Sequence, residues 1–155
     1  MVAIEGRIGW RKTAPFHVQF ELDKSHGVPS VLGQTRVEGR VIRVFRTDGR
    51  LAIGDHVAFS IWVCEPGDEP TGPAYIYFSD LNRAEYMETY LHGTLPEYKL
   101  AAYEFSVIKT RSEQPYLTVE ELENLLPGHE EAQLNILATP KTRRFWQFWK
   151  SRVRY

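Results

Sequence analysis

The sequence predicts a mainly β protein, either a small antiparallel β-barrel or a strongly bent sheet of five or six strands, followed by short C-terminal helices. Three observations predict this class. Several segments between residues 16 and 109 alternate apolar and polar side chains, which is the period of a strand with one buried face. Turns rich in glycine and proline separate these segments. From residue 118 onward the pattern changes to that of a helix start.

Length and composition indicate one globular domain. The chain has 155 residues, of which 43% are hydrophobic and 25% are charged, and such a composition excludes disordered and collagen-like classes. The single cysteine, Cys64, follows the apolar segment 59–63, which indicates a buried thiol and excludes an intramolecular disulfide. Neither a secretory signal nor an apolar run of membrane-spanning length is visible, so we expect a soluble, cytoplasmic protein.

The first two strands are predicted on either side of a long loop. Residues 16–22 alternate apolar and polar side chains without error and form the first strand. Residues 25–34 contain two glycines and a proline, and we predict a loop there. The second strand covers residues 36–46 and gives the strongest strand signal in the chain.

The alternation in the second strand shifts by one residue, because Val41 and Ile42 are both apolar. Gly39 lies just before the shift. A shift beside a glycine predicts a β-bulge or a sharp bend, which is how long strands turn the corners of small barrels.

Tight turns precede the next strands. Residues 47–50 hold Asp-Gly at their centre, which predicts a hairpin. In the third strand, residues 56–63, the apolar positions 57, 59, 61 and 63 alternate with His56, Ala58, Ser60 and Trp62. A loop at residues 65–73 and a short strand at 74–78 follow.

The segment 84–91 fits two periods. Met87, Thr89 and Leu91 share one side of a strand, while a helix would group Leu81, Ala84, Met87, Glu88 and Leu91 almost as well. We predict a strand here. The last long strand is predicted at residues 98–109, where the alternation is again regular.

The C-terminal part is predicted to be helical and then basic. Thr118 and Glu121 have the spacing of a capping box, and a second short helix is predicted at residues 130–137. The predicted organisation is a β-barrel domain at 1–112, short helices packed on it at 113–139, and a basic aromatic tail at 140–155.

Charge is divided unevenly along the chain. Residues 141–155 hold six of the 19 Lys and Arg, none of the 20 Asp and Glu, and five aromatic side chains. The first 140 residues therefore carry a formal charge of −7, and the tail carries +6. Such an asymmetry influences which partners the chain binds and how it is oriented toward them, but it indicates no particular reaction.

The tail has three functional interpretations, which are insertion at an anionic membrane surface, stacking on nucleic-acid bases and docking on an acidic partner. The alternative is that its rings pack on the barrel or on a second copy of the chain. The candidate contact residues are Arg143, Arg144, Phe145, Trp146, Phe148, Trp149 and Lys150.

A second candidate surface lies on the predicted barrel. Alternation turns Trp62 outward on the third strand, the next strand adds two tyrosines, and the preceding hairpin adds arginines. With the bent strand and the hairpin, this face is similar to that of the oligonucleotide- or oligosaccharide-binding (OB) barrel, whose second and third strands carry the ligand. The resemblance covers roughly residues 35–109. The ligand-face candidates are Trp62, Tyr75, Tyr77, Arg40, Arg43 and Arg46.

No pattern in the sequence indicates catalysis, a cofactor or a metal. The five histidines are scattered without ligand spacing, and one cysteine excludes a cysteine-rich zinc site. Asp55, His56 and Ser60 are close in sequence, but alternation places Asp55 on the opposite side of the strand from the other two. No phosphate-binding glycine loop is visible.

We therefore predict a non-catalytic binding or protein-interaction module, whose first candidate partner is another protein or a second copy of the chain. An anionic membrane is the second candidate, and single-stranded nucleic acid is the third because the body is acidic. Homodimerisation is predicted because sheet edges and an aromatic tail both need cover. The competing class is a small enzyme whose site is assembled from residues distant in sequence.

Overall fold

A computed structural model describes residues 4–24, 33–71, 75–116 and 118–124. Contacts divide the chain into two units, Met1–Thr118 and Val119–Tyr155. The first unit contains two helices and six strands in its described residues: α1 (Ile4–Thr13), β1 (Phe16–Leu22), β2 (Gly33–Arg46), β3 (His56–Cys64), β4 (Tyr75–Tyr77), α2 (Phe78–Arg83), β5 (Tyr86–Thr94) and β6 (Glu97–Ile108). In the second unit, the described residues form the short helix α3 (Val119–Glu123).

The mainly β class predicted from the sequence is confirmed. All six described strands belong to one sheet, in the order β2-β1-β5-β6-β3-β4. An additional pairing of β2 with β3 closes five of them into a ring, and β4 adds to β3 outside that ring. Ring neighbours are antiparallel except β3 and β6, which run parallel and pair at Phe59 and Tyr98.

The predicted strands are confirmed with small shifts of their ends. The ambiguous segment 84–91 contains most of β5 and is a strand, as predicted. The short strand predicted at 74–78 is wrong at its end, because Phe78 begins α2 instead. The helix predicted at 130–137 and the tail lie outside the described residues.

Helices α1 and α2 were not predicted from the sequence, and α1 is the longer of the two. Gly6 and Gly9 each lower its intrinsic helix propensity by about 1 kcal/mol relative to alanine. Tertiary contacts compensate, because Ile8 and Arg11 are buried against the rest of the first unit. Burial of one face therefore decides the conformation of this segment, and its composition alone does not.

The predicted bulge in β2 is confirmed. Along β1, Gln19 pairs with Arg43 while Phe20 pairs with Val41, so that Ile42 has no partner opposite β1. A second shift leaves Phe45 unpaired between Val44 and Arg46. The extra residues bend β2, which pairs with β3 along residues 33–40 and with β1 along residues 39–46.

The apolar core fills the inside of the ring. Inward-facing side chains of all five ring strands contribute to it, and two edge-to-face ring pairs, Phe16 with Tyr98 and Phe20 with Phe59, each have centroids 5.6 Å apart. Strand β1 is buried on both sides, because His17 and Gln19 on its outer side are also covered. The outer side of β1 is therefore also buried, and the side chains buried there are polar.

Gly39 is predicted to tolerate no side chain. A Cβ atom there would overlap the carbonyl oxygen of Glu21 and lie 2.6 Å from Cδ2 of Phe20. We expect Gly39→Ala to lower the free energy of unfolding by about 3 kcal/mol or more, because backbone and core must both move. Gly9→Ala is the control, since its added Cβ meets nothing within 4 Å and should stabilise α1 by up to about 1 kcal/mol. Urea denaturation measures both, and equal effects would contradict the prediction.

Candidate functional site

The outer side of β2 and β3 forms a polar surface with one aromatic side chain. The antiparallel register places Gln34 opposite Trp62, Arg36 opposite Ser60 and Arg40 opposite His56. Inward positions between them belong to the core, so alternation alone turns these side chains outward. We call this surface the β2–β3 face, consisting of Gln34, Arg36, Glu38, Arg40, His56, Ser60 and Trp62.

Trp62 is the aromatic side chain of this face, and 38% of its surface is accessible. Hydrogen-bonding groups flank it on both sides, since Gln34 lies across the strand pair and Ser60 precedes it on the same side of β3. Such an arrangement offers a flat apolar surface for stacking and polar groups that fix orientation.

Arg36, Glu38 and His56 pair with one another on the β2–β3 face. Arg36 forms an ion pair with Glu38, and His56 Nε2 lies 3.2 Å from the other oxygen of the Glu38 carboxylate. Arg36 Nη2 also donates to the carbonyl oxygen of Pro96 at 3.2 Å. The hydroxyl of Ser60 donates to Glu97 on the neighbouring strand β6. The face therefore carries both signs of charge rather than a positive surface.

The two tyrosines predicted for this face differ from the prediction. Tyr75 is buried, with 7% of its surface accessible, so its predicted exposure is wrong. Tyr77 is half-buried, and its hydroxyl donates to Glu69 Oε1 at 2.7 Å. Burial and this hydrogen bond raise the pKa of Tyr77, and the same bond lowers the pKa of Glu69. The Tyr77 hydroxyl therefore holds the loop before β4 in place through a hydrogen bond.

The three predicted arginines are separated in space. Arg40 stays on the β2–β3 face and donates to the carbonyl oxygen of Gly54 at 2.9 Å. Arg43 and Arg46 lie where β2 pairs with β1, past the end of the β2–β3 ladder. Their predicted place on the ligand face is therefore corrected, and the physical reason is the bend at the bulge.

Arg46 instead closes the C-terminal end of α1. Its Nη1 donates to the carbonyl oxygens of Arg11, Lys12 and Ala14, the last two at 3.1 Å. The last carbonyls of a helix extend past its internal hydrogen bonds, so a cation there binds them and also opposes the negative end of the helix dipole. The guanidinium further lies 5.9 Å from the centre of the Tyr90 ring.

A buried polar cluster on the outer side of β1 and β5 was missed by the sequence analysis. Glu88 is fully buried, and its Oε1 lies 2.7 Å from His17 Nε2 while its Oε2 accepts from Gln19 Nε2 at 2.8 Å. The His17 ring stacks on Tyr90 at 3.9 Å, and the Arg11 guanidinium lies 5.5 Å from the centre of the same ring. We call these five residues the Glu88 cluster.

The sequence carried no local signal for this cluster. His17 and Gln19 on β1, like Glu88 on β5, occupy the polar positions of alternating segments, which ordinarily face water. Only the covering of that side by α1 and by the chain after β6 makes them interior residues. Residues far apart in the sequence supply that cover.

The predicted tail residues, Arg143, Arg144, Phe145, Trp146, Phe148, Trp149 and Lys150, lie outside the described part of the chain. Within the described ranges, no three His, Cys, Asp or Glu side chains are placed to hold a metal ion. No helix of those ranges is long and apolar enough to cross a membrane. Cys64 is buried, as the sequence predicted.

No model of a protein family, no curated protein and no solved structure matches this chain. The candidate site therefore stands on its own geometry: one exposed indole, Trp62, among paired polar groups on the β2–β3 face.

Arg46 is predicted to act in stability and not in ligand contact. We expect Arg46→Met to lower the free energy of unfolding by about 1–3 kcal/mol, because it leaves carbonyls at the end of α1 without their charged donor. Arg40→Met removes one hydrogen bond at an exposed position and should cost less than about 1 kcal/mol. Thermal denaturation of both variants compares them, and a larger loss in Arg40→Met would contradict this assignment.

Proposed function

We propose that this chain is a non-catalytic binding module in which the closed ring is an OB-type barrel and the β2–β3 face contacts a protein partner. The observation that carries the proposal is the exposure of Trp62 on a surface whose other members are hydrogen-bonding side chains. Exposed tryptophan and arginine side chains dominate the binding energy of many protein interfaces.

The strand connections support the OB-type assignment. Around the ring the order is β1-β2-β3-β6-β5, with α2 inserted between the third and fourth ring strands along the chain. In OB barrels the ligand lies across the second and third strands and beside the loop that joins the last two. Here that loop contains Leu95 and Pro96, and Arg36 of the β2–β3 face donates to the Pro96 carbonyl oxygen.

The charges favour a protein partner over a phosphate polymer. A nucleic acid is held by cations that exchange counterions for phosphates. On the β2–β3 face Arg36 is already paired with Glu38, and Glu97 adds a second carboxylate beside Ser60. The first 140 residues also carry a net formal charge of −7. Mixed charge around an apolar anchor fits a protein surface better.

Trp62→Ala is predicted to weaken partner binding at least about tenfold, because it removes the apolar anchor of the face. The probe is a set of peptides selected from a displayed library on the full chain, with Kd measured by calorimetry. Trp10→Ala is the matched control, since Trp10 in α1 is 39% exposed and Trp62 is 38% exposed. Binding that both variants lose equally, or that neither loses, would contradict the proposal.

Two further measurements compare the alternative partners. A single-stranded oligothymidylate should bind without dependence on Trp62, and Trp62-dependent binding of that probe would assign the face to nucleic acid instead. Sedimentation velocity over the micromolar range tests a second copy of the chain as the partner. Self-association that Trp62→Ala abolishes and Trp10→Ala preserves would identify the β2–β3 face as a homodimer interface.

A second candidate function is contact of the tail with an anionic membrane surface. The observation that favours it is the separation of charge, with +6 in residues 141–155 and −7 in the rest of the chain. Five aromatic side chains lie among these cations in the sequence. Cations beside an anionic bilayer contribute roughly 1 kcal/mol each, and aromatic side chains favour the interface.

Reversing two tail charges is predicted to weaken vesicle binding. We expect the full chain to sediment with vesicles of phosphatidylserine and phosphatidylcholine at low salt, and Arg143→Glu with Arg144→Glu to weaken this at least about tenfold. Arg40→Glu with Arg43→Glu makes the same change of charge in β2 and should have a much smaller effect. Equal losses in the two pairs would mean that net charge alone governs the binding.

A further inference from the structure

Between β6 and α3 the chain crosses the polar outer side of β1 and β5, and its described residues there form neither a helix nor a strand. We call residues 109–118 the strap; the structure describes all of them except Leu117. The Ser112 N–H donates to Gln19 Oε1 at 3.1 Å. The Tyr116 N–H donates to both oxygens of Glu88, at 2.9 and 3.0 Å, and Arg11 Nη1 donates to the carbonyl oxygen of Thr118 at 2.7 Å. Side chains of the Glu88 cluster therefore bind the backbone of the strap.

Glu88 is the centre of this arrangement. Its Oε1 receives the Tyr116 N–H and lies 2.7 Å from His17 Nε2, and its Oε2 receives the Gln19 amide and the same Tyr116 N–H. The Gln19 amide and the Tyr116 N–H can only donate, so both carboxylate oxygens serve as acceptors, and the His17 nitrogen also donates in the tautomer that carries a proton there. In that arrangement a protonated Glu88 would turn an O–H toward groups that already donate, and an acceptor would be lost.

Charged and aromatic groups from every neighbouring element face the cluster. Arg11 comes from α1 and Arg46 from β2, and both guanidinium groups lie over the Tyr90 ring, at 5.5 and 5.9 Å from its centre. The His17 ring of β1 stacks on the Tyr90 ring. Tyr116 supplies the cover from the strap, packed with Tyr90 and Ala14. Both guanidinium groups therefore contact the cluster through the Tyr90 ring.

We propose that the strap acts as a latch. It stays closed while the Glu88 carboxylate is ionised, and it opens when this one group is neutralised. Opening breaks the bonds of Ser112 and Tyr116 and leaves the ring of strands intact, because the strap contributes no strand to the sheet. It uncovers His17, Gln19 and Tyr90 on the outer side of β1 and β5.

Amide hydrogen exchange of the full chain, followed by NMR, tests the latch at its own donors. In Glu88→Gln, exchange at Ser112 and Tyr116 should accelerate at least tenfold relative to the amides of β3, which pair within the ring. Glu85→Gln is the matched control, because Glu85 is an exposed carboxylate three residues earlier. Acidification of the unaltered protein from about pH 7 to about pH 3, which lies below the ordinary glutamate pKa of about 4.3, should produce the same selective acceleration, after correction for intrinsic exchange. Glu88→Gln should show no such pH dependence.

Two outcomes would overturn the latch. Equal acceleration of the strap and of β3 would mean that Glu88 supports the whole fold and not a separate opening. A selective pH dependence that survives in Glu88→Gln would assign the switch to another group, with His17 the first candidate. If Glu88→Gln does not fold, the pH series of the unaltered protein decides, because opening of the strap without β3 supports the latch and any other pattern overturns it.

Discussion

The close approach of β2 to β1 at Gly39 is the constraint on which the rest of the architecture depends. Because Gly39 has no side chain, the backbone of β2 can cross over Glu21 and Phe20, and the unpaired Ile42 bends the strand just beyond that crossing. One strand can then pair with β3 in its first half and with β1 in its second. This double pairing closes the ring, encloses the core and creates the β2–β3 face on the outside.

The ring has two outer surfaces of opposite character. On the β2–β3 face, Trp62 is accessible, and the charges pair at the surface, where ion pairs contribute little to stability. On the side of β1 and β5, the Glu88 carboxylate is fully buried, and its oxygens accept from two separate parts of the chain, Gln19 in β1 and Tyr116 after β6. The first surface is free to contact a partner. The second is committed to holding α1 and the strap in place, which makes it sensitive to the charge of one residue.

The sequence predicted the strands well and the candidate site in part. Alternation located β1, β3, β5 and β6, and the paired apolar residues Val41 and Ile42 located the bulge. Trp62 was placed outward correctly because alternation fixes the side of a strand. Tyr75 and Arg46 were misplaced for different reasons. Tyr75 is buried although Trp62, its partner on β3, is exposed. Arg46 lies beyond the bend in β2, and alternation does not show in which direction a strand continues after a bend.

The sequence by itself determined the mainly β class, the position of the turns and the segregation of charge toward the C-terminal end, because these follow from local alternation, backbone preferences and composition. Only the tertiary structure decided which polar positions are interior. Whether His17, Gln19 and Glu88 meet water or each other depends on α1, which directly precedes β1, and on Ser112 and Tyr116, which follow the last strand. Alternation identifies two sides of a strand, but burial of the polar side depends on what the rest of the chain places over it.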